Sequence, residues 1–342
     1  MLETTSTVRV LAITRKPHSA SYEQRIANFV EPLRALGIDV ETCVYPKKLA
    51  GQIATLSRAG AYDAVWWHRH LLPWWQMRLL RRSARYLVYD FDDPVCFSTR
   101  DDGSSSVRAR RFARLVGGAD AVMAGSHYLR DLALAHNDNV HIIPMAIDLP
   151  DGEVAAAPRK GRELLWLGSA STQKYLDLIR PALERLGQAH PEVRLRLVAH
   201  RPMSFGDLDT EFVQWTPQTQ DRALAECAIG LCPMPDTVWS RGKCPYKVLQ
   251  YMSYGMAWIG SAVGENIVTA GQADSDESRG LTAGDVDEWL RGLERLLSDT
   301  AGRDAMGRRA RTYIEQHHQR QHIAEHIATI LHRASDPALG HA

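Results

Sequence analysis

Short apolar runs alternate with segments of helical periodicity along nearly the whole chain, and this alternation restricts the fold more than any other feature. The first run, residues 8–14, is almost wholly apolar, as expected for a strand in a sheet covered on both faces. Repeated strand–helix units favour a parallel, doubly wound sheet. Further strands are predicted at residues 38–44, 64–67, 85–90, 121–125, 140–145, 163–167, 193–199, 212–216, 229–233 and 256–261.

Helical periodicity fills the intervals between these strands. Apolar residues recur at helical spacing over residues 22–36, and Gly37 supplies a C-cap for that helix. A second long helix is predicted at 172–189, with Ser171 or Thr172 as its N-cap. Residues 286–334 are predicted to be almost entirely helical.

The pattern lapses once, near the middle of the chain, where residues 151–162 are predicted to form a linker. A chain of 342 residues suggests two domains at roughly 150 residues each. The sequence therefore predicts an α/β protein with Rossmann-like domains at 1–150 and 163–310. Residues 311–342 are predicted to be C-terminal helices, for which a return to the first domain is considered. A cleft between the two domains would be a common place for a ligand.

Composition excludes several classes of protein. Lys and Arg number 41 against 40 Asp and Glu, a net charge of +1, so nucleic acid is not an expected partner. Five Cys without a C-x-x-C pair argue against a disulfide framework or a zinc ribbon and fit a reducing cytoplasm. The N-terminus is not expected to be a secretory signal, and no apolar run reaches the ~18 residues of a spanning helix.

Nucleotide-binding fingerprints are missing from the expected places. A dinucleotide dehydrogenase needs a glycine-rich turn directly after the first strand, and residues 14–19 contain no glycine. No P-loop pattern occurs either. Both classes are therefore disfavoured.

An aromatic and basic segment runs from Trp74 to Arg82. Such a helix can lie at a membrane interface, which keeps peripheral membrane contact open as an alternative. The favoured interpretation is a packed helix of the α/β layer with a solvated basic edge.

The second half carries features suited to phosphate. The strand at 163–167 runs into Gly168, Ser169, Ser171 and Thr172, small residues whose backbone N–H groups an anion can approach. A capped turn without any ligand would have the same sequence.

A stronger feature is the basic segment around Pro245, which suits the first turn of a helix. Arg241 and Lys243 precede that helix and Lys247 lies in its first turns, where cations oppose the helix dipole unless an anion is present. Three such cations indicate a diphosphate. Gln250 shares the helix face of Lys247 and could reach the ribose hydroxyls. The alternative is a solvated basic loop.

The order of these motifs resembles that of retaining glycosyltransferases of the GT-B fold, in the large group that includes family 4 enzymes. The resemblance covers most of the chain. The matching segments are residues 168–172 with 175–176, 241–243, 247–252 and 261–264 in the second half, and 68–73, 89–93 and 126–129 in the first.

The resemblance implies transfer of a sugar from a nucleotide diphosphate sugar to an acceptor hydroxyl or amine. It implies two Rossmann-like domains facing across a cleft, with the donor on the C-terminal half. The expected donor contacts are Gly168, Ser169, Ser171, Thr172, Arg241, Lys243, Lys247, Gln250 and Tyr251. The expected catalytic residues are His68 and Asp92, with Arg25, His70 and Asp93 on the acceptor side. No cofactor is expected, and a UDP-type donor is favoured over a GDP-type one.

Two departures from the family pattern concern the ribose and the acceptor. Where the family usually has a carboxylate pair around its ribose-binding helix, this chain has Gly242 and Gln250. An amide can still donate to and accept from ribose hydroxyls. The family's N-terminal loop is often glycine-rich, whereas residues 15–21 contain no glycine.

Metal binding is not expected. Asp90 and Asp92 match the Asp-x-Asp of the other glycosyltransferase fold, but they lie far along the chain from the phosphate segment. His318, His322 and His326 share one predicted helix face without a cysteine or a clear carboxylate partner, and they are expected to be exposed.

The resemblance also implies retention of the anomeric configuration. Activity is expected to need no divalent metal, because Arg241, Lys243 and Lys247 could neutralise a diphosphate without one. Two alternatives stay open: a nucleotide-sugar epimerase or phosphorylase with the same cleft, and a non-catalytic nucleotide-sugar binding protein. The sugar, base, acceptor and oligomeric state are left open.

Overall fold

Twelve strands form two separate, wholly parallel six-stranded sheets in the computed structural model, which describes residues 7–98, 103–150, 161–273 and 275–335. The predicted α/β class with two parallel sheets and a helical C-terminal end is confirmed. Most of the predicted linker, residues 151–160, lies outside the described residues.

The chain divides into two units. The first comprises the described residues of Met1–Ala146, Gly242–Cys244 and Arg320–Ala342, and the second comprises those of Ile147–Arg241 and Pro245–Gln319.

The strands of the first unit are β1 (Val8–Thr14), β2 (Ile38–Val44), β3 (Ala64–His68), β4 (Tyr86–Phe91), β5 (Ala121–Ala124) and β6 (Val140–Ile142). Those of the second unit are β7 (Glu163–Leu167), β8 (Arg194–Ala199), β9 (Asp209–Gln214), β10 (Ile229–Cys232), β11 (Ala257–Ser261) and β12 (Leu281–Ala283). The sheets have the orders β2-β1-β3-β4-β5-β6 and β12-β11-β10-β7-β8-β9. Every predicted strand is present, with bounds shifted by up to three residues, and β12 was not predicted.

The helices surround these sheets. They are α1 (Ala20–Arg25), α2 (Val30–Ala35), α3 (Leu49–Arg58), α4 (Trp74–Ser83), α5 (Ser106–Gly117), α6 (His127–Leu134), α7 (Ala170–Gln173), α8 (Arg180–Ala189), α9 (Pro217–Glu226), α10 (Val238–Arg241), α11 (Tyr246–Ser253), α12 (Glu265–Ala270), α13 (Val286–Ser298), α14 (Thr300–His317) and α15 (Arg320–His332).

Both faces of the first sheet are buried, as its apolar strands predict. Alternate side chains of β1 enter two different cores, Leu11 and Ile13 on one face and Val10 and Ala12 on the other. Ile327 of α15 belongs to the second core, so the C-terminal helix completes the layer over this face.

Two predicted long helices are interrupted, and proline explains both interruptions. The helix predicted at 22–36 is α1, a 3-10 turn at Ala27–Phe29 and then α2, which contains Pro32. The helix predicted at 172–189 is α7, a 3-10 segment at Lys174–Ile179 and then α8, with Pro181 in its first turn. Proline lacks the N–H of an interior helical position and fits only a first turn, so a new helix starts at each one.

Chain direction across the sheet reverses once in each unit, between β1 and β3 and between β7 and β10. In open parallel sheets, ligands bind beyond the carboxyl ends of the strands at such a switch point. In this chain those ends are Thr14 and His68 in the first unit and Leu167, directly before Gly168, in the second.

Candidate functional site

A cavity of about 440 Å³ opens at the carboxyl ends of β1 and β3 in the first unit. The predicted site residues His68 and His70 both line it, at the position expected for a ligand at a switch point. Among the described residues that line it, five are arginine or lysine: Arg15, Lys16, Arg69, Arg108 and Arg111.

His68 is held at the base of this cavity by two hydroxyl groups. Its Nδ1 lies 3.1 Å from the Thr14 hydroxyl, and its Nε2 lies 3.1 Å from the Ser21 hydroxyl. Ser21 donates to Asp92 Oδ1 at 2.8 Å, so its oxygen must accept from His68 Nε2. The hydrogen bonds thus define a neutral imidazole with its proton on Nε2, linked through Ser21 to Asp92.

Burial keeps both histidines of the cavity neutral. It lowers the pKa of His68 to about 4, against the opposing effect of the charges on Asp90 and Asp92. It likewise lowers the pKa of His70 to about 4, and the nearby charges of Arg15, Arg111 and Arg108 add to this effect. At neutral pH neither imidazole contributes a positive charge.

The low pKa of His68 predicts an acid-sensitive fold. The pKa is about 4 in the folded chain and about 6.5 when unfolded, so the unfolded state binds more protons and stability falls as the pH drops from about 6.5 to about 4. Between pH 7.5 and pH 5 we expect His68 to account for a loss of about 2 kcal/mol in the free energy of unfolding. Urea unfolding at both pH values measures it. His68→Gln should reduce the difference by that amount, and an equal difference in both proteins would contradict the assignment.

Arg69 joins the cavity to the two carboxylates that follow β4. Its Nε lies 3.3 Å from Asp92 Oδ1, and its guanidinium also pairs with Asp93. Arg69 has a φ of 57°, a left-handed conformation that is costly for a residue with a side chain. Burial and the neighbouring Asp92 raise the pKa of Asp93, whereas Arg69 and Lys243 oppose that rise. Arg69, the residue with the strained backbone, therefore forms ion pairs with two predicted site residues, Asp92 and Asp93.

Arg25, predicted on the acceptor side, lies inside the first unit rather than on the cavity wall. Its side chain is 1% exposed, and its Nε donates to both oxygens of Asp90, at 3.1 and 3.3 Å. It also donates to the carbonyl of Ile143. Burial alone would lower the pKa of Arg25, but the charge of Asp90 reverses this and raises it. The two charges satisfy each other within the core.

The segment Gly242–Cys244 groups with the first unit. A Cβ at Gly242 would lie 2.9 Å from Pro94, so only glycine fits there. Cys244 donates its thiol to the carbonyl of Gly125 at 3.1 Å. The charge of Lys243, between them, opposes the rise in the pKa of the Asp93 carboxyl. The predicted phosphate contact Lys243 and the predicted acceptor-side residue Asp93 therefore belong to the same unit.

In the second unit, two predicted phosphate features meet at the end of β7. The Nζ of Lys247 lies 4.2 Å from the ring centroid of Trp166, in the geometry of a cation–π contact. A Cβ at Gly168 would lie 2.9 Å from Trp166 and 3.1 Å from Lys247 Nζ. The buried Trp166 ring therefore holds the lysine ammonium against the backbone of the turn, and Gly168 leaves space for it.

The hydroxyl groups of this turn lie at the surface. Ser169 Oγ is 2.9 Å from Ser171 Oγ and 3.5 Å from Thr172 Oγ1. Neither of the predicted N-caps is correct, because α7 begins one residue after Ser169, whose side chain makes no capping hydrogen bond to the backbone.

Arg241 lies in the last turn of α10, which the sequence pattern did not predict. Its guanidinium donates to both oxygens of Asp236, at 2.6 and 2.9 Å, and this pairing lowers the pKa of Asp236. Gly264, in the left-handed region with a φ of 54°, packs against the Arg241 backbone, since a Cβ there would lie 2.4 Å from the Arg241 carbonyl oxygen.

Gln250 and Tyr251 are neighbours on α11 but face different surroundings. Gln250 lines a cavity of about 510 Å³ together with Tyr246 and Tyr254. Tyr251 is fully buried, and its hydroxyl donates to the carbonyl of Leu231 at 3.0 Å. Of the two predicted donor contacts, only Gln250 lines a cavity in the structure.

The three histidines near the C-terminus do not share one helix face. Helix α14 ends at His317 and α15 starts at Arg320, so His318 lies in the break, and it is buried rather than exposed. His326 lies on α15, with its ring centroid 6.0 Å from that of His141. Within the described ranges, no three His, Cys, Asp or Glu side chains are grouped so that they could hold a metal ion.

Helix α4 carries the segment considered for membrane contact. Met77 and Leu80 are buried, Arg81 pairs with Asp120 at 2.5 Å, and Trp74 is 62% exposed. In the part of the chain that the structure describes, no helix has the length and apolar character needed to cross a membrane.

Several site residues were not identified from the sequence. Ser21 lies in the first turn of α1 and belongs to no sequence motif, and only its hydrogen bonds to His68 and Asp92 reveal its role. Trp166 could have been found from its place two residues before a glycine turn. The cavity residues of α5, Arg108 and Arg111, are two of the four arginines in that helix, and the sequence pattern did not distinguish them from the other two.

Residues 161–299 match the family model "Glycosyl transferases group 1", which supports a glycosyltransferase. No curated protein matches the chain by sequence.

Solved structures share the fold at low identity. A sucrose-phosphate synthase from Thermosynechococcus elongatus matches with a TM-score of 0.72 at 15% identity, covering 97% of this chain and 100% of that one. HepE from Anabaena, in complex with UDP-glucose, matches with a TM-score of 0.67 at 13% identity, covering 95% and 100%. A glycosyltransferase from Rickettsia africae matches with a TM-score of 0.69 at 12% identity, covering 97% and 99%. The fold is that of GT-B glycosyltransferases.

Proposed function

We propose that this chain is a retaining, metal-independent glycosyltransferase that moves a sugar from a nucleotide diphosphate sugar to an acceptor hydroxyl or amine. The observation that carries the proposal is the Lys247 ammonium held between the Trp166 ring and Gly168, inside the segment that matches the group 1 family. A UDP-type donor is favoured over a GDP-type one, because HepE, which shares the fold, was solved with UDP-glucose.

In the proposed reaction the bond between the sugar and the diphosphate breaks, and its electron pair leaves with the diphosphate. Lys247 neutralises the charge that develops there, the effect that usually contributes most to such a departure. Lys243 and Arg241 are proposed as further diphosphate contacts. Gln250, one helical turn from Lys247, is proposed to bind the ribose hydroxyls through its amide.

On the acceptor side we assign His68 and Asp92. The neutral imidazole, fixed by Thr14 and Ser21, accepts no proton readily at neutral pH because its pKa is about 4. We therefore assign the proton of the acceptor hydroxyl to the Asp92 carboxylate or to the leaving phosphate, and assign His68 to positioning through Ser21.

Retention of the anomeric configuration is proposed from the resemblance to the retaining family. A double displacement would need a carboxylate nucleophile beside the anomeric carbon, and the site residues assigned above supply none for that role. Front-face attack assisted by the departing phosphate fits this set of residues. Product NMR tests it, and an inverted product would refute the proposal.

Chelation of divalent metal is expected to leave turnover unchanged. Arg25 donates to both carboxylate oxygens of Asp90, so Asp90 is not available as a metal ligand. Asp92 accepts a hydrogen bond from Ser21 and pairs with Arg69. The lysines can supply the neutralisation that a metal would otherwise provide. Donor turnover measured in excess EDTA and in added manganese checks this. Loss of activity in EDTA that manganese restores would contradict it.

Donor titrations separate this function from its alternatives. We expect UDP and UDP-glucose to bind more tightly than GDP and GDP-mannose, and UDP-glucose to be hydrolysed slowly without acceptor. Binding without any hydrolysis or transfer would indicate a non-catalytic nucleotide-sugar binding protein. Conversion of the sugar with UDP still attached would indicate an epimerase. None of the five cysteines, all of which lie in the described residues, forms a disulfide bond, which is consistent with the cytoplasmic location that we propose.

A further inference from the structure

We infer that the sugar acceptor carries a phosphate group, and that the cavity of the first unit binds this group through Arg15, Lys16, Arg108 and Arg111. The inference rests on the proposed function, which needs an acceptor, and it names the chemical class of that acceptor.

The charge of the cavity is the first observation. Among the residues that the structure describes, five cationic side chains and no carboxylate line it, although the whole chain has a net charge of only +1. Arg69 is balanced by Asp92 and Asp93. For the other four cations, no carboxylate of a described residue lies within ion-pair distance. Clustered like charges repel each other, so an arrangement of this kind is stabilised when an anion binds.

The placement of the arginines is the second observation. Arg108 and Arg111 are three residues apart on α5 and therefore share a helix face. Arg108 donates its Nε to the carbonyl of Val95 at 2.9 Å, which fixes its side chain. Directly after β1, Arg15 extends its Nη1 to within 3.3 Å of His70 Nε2. Because His70 lacks its own charge, this Nε2 accepts the hydrogen bond and orients the guanidinium.

The electrostatic effect of the arginines on His70 supports the same clustering of positive charge. Arg15, Arg111 and Arg108 all line the cavity with His70, and their charges all lower the pKa of this imidazole. Lys16 and Ser19 line the same cavity and add an ammonium and a hydroxyl.

Phosphate fits these donors better than other anions do. A phosphate monoester carries up to two negative charges and three acceptor oxygens, and arginine binds such oxygens with two parallel hydrogen bonds. A carboxylate has one charge and two oxygens and would leave several of these cations without a partner. A cavity of about 440 Å³ lies within the range of small-molecule sites and is large enough for a phosphorylated monosaccharide.

Calorimetric titration of the full chain tests the inference. Inorganic phosphate and glucose 6-phosphate are titrated in saturating UDP, which keeps phosphate out of the donor site, and glucose and glucuronate serve as the neutral and carboxylate probes. We expect the two phosphates to bind, and both neutral glucose and glucuronate to bind at least tenfold more weakly.

Variants on one helix locate the site. Arg111→Gln should weaken binding of glucose 6-phosphate tenfold or more. Arg110→Gln, the matched control, removes the same charge from an exposed position of α5 outside the cavity and should leave this affinity unchanged. Glucuronate that binds as tightly as glucose 6-phosphate, or equal losses in the two variants, would overturn the inference.

The failure of the inference and that of the proposed function give different results. If the chain transfers sugar to neutral acceptors and binds neither phosphate, the inference fails and the function stands. If phosphate binding depends on Arg111 but no nucleotide sugar binds or turns over, the function fails and only a phosphate site remains, which also overturns the assignment to an acceptor.

Discussion

Replacing Arg25 with methionine is expected to lower the free energy of unfolding by about 3–5 kcal/mol. The substitution leaves the Asp90 carboxylate fully buried without the guanidinium that donates to both of its oxygens. The carbonyl of Ile143 loses a donor as well. Urea unfolding at pH 7.5 measures the loss.

A surface pair of the same kind provides the control. Arg34 pairs with Glu31 at 2.6 Å, but both side chains are more than half exposed, so Arg34→Met should cost less than about 1 kcal/mol. The double variant Arg25→Met with Asp90→Leu removes both buried charges and should recover most of the stability. Equal losses of unfolding free energy in Arg25→Met and Arg34→Met would contradict the buried ion pair between Arg25 and Asp90.

The same variant also tests the predicted role of Arg25 on the acceptor side. If Arg25 acts only in the core, Arg25→Met that remains folded at low temperature should retain the KM for the acceptor. A raised KM for the acceptor in a folded variant would indicate that Arg25 contributes to acceptor binding.

Replacing Lys247 with alanine is expected to weaken UDP binding about 10- to 150-fold, which corresponds to about 1.5–3 kcal/mol for a charge-assisted contact. The ammonium is held in place by Trp166 before any ligand arrives, so little side-chain entropy is lost when a diphosphate binds. Titration with UDP measures the effect.

Two further lysines make this prediction specific. Lys48→Ala removes an equal charge from an exposed position before α3 and should leave the affinity for UDP unchanged. Lys243→Ala should weaken UDP binding by a similar factor to Lys247→Ala, as expected for a second diphosphate contact. Unchanged affinity in both Lys247→Ala and Lys243→Ala would remove this segment from the donor site.

The type and order of the elements followed from the sequence, because apolar periodicity and capping are local properties. β1 and β7 have the predicted bounds, and Ser126 caps α6 by accepting from the Leu129 N–H, as expected of a serine before a helix. The breaks before α2 and α8 also have a local cause, because Pro32 and Pro181 lie at the starts of these helices. They were missed because helical spacing of apolar residues persists across a break.

The sequence predicted residues of the candidate donor site but not how they come together. Gly168 and Lys247 were each recognisable as suited to an anion, one from its turn and the other from its place at a helix start. Only the parallel pairing of β7 with β10 brings the turn and α11 to one switch point, where the Trp166 ring joins them.

The tertiary structure alone decided what each arginine does. In the sequence, Arg25, Arg69 and Arg111 are equivalent cations, yet one is buried against a carboxylate, one is shared by two, and one lines a cavity. Periodicity reports which side of an element is apolar, whereas the energy of a charge depends on the partners and solvent within a few ångströms of it. For Arg25 that partner, Asp90, is 65 positions away and becomes its neighbour only when the sheet forms.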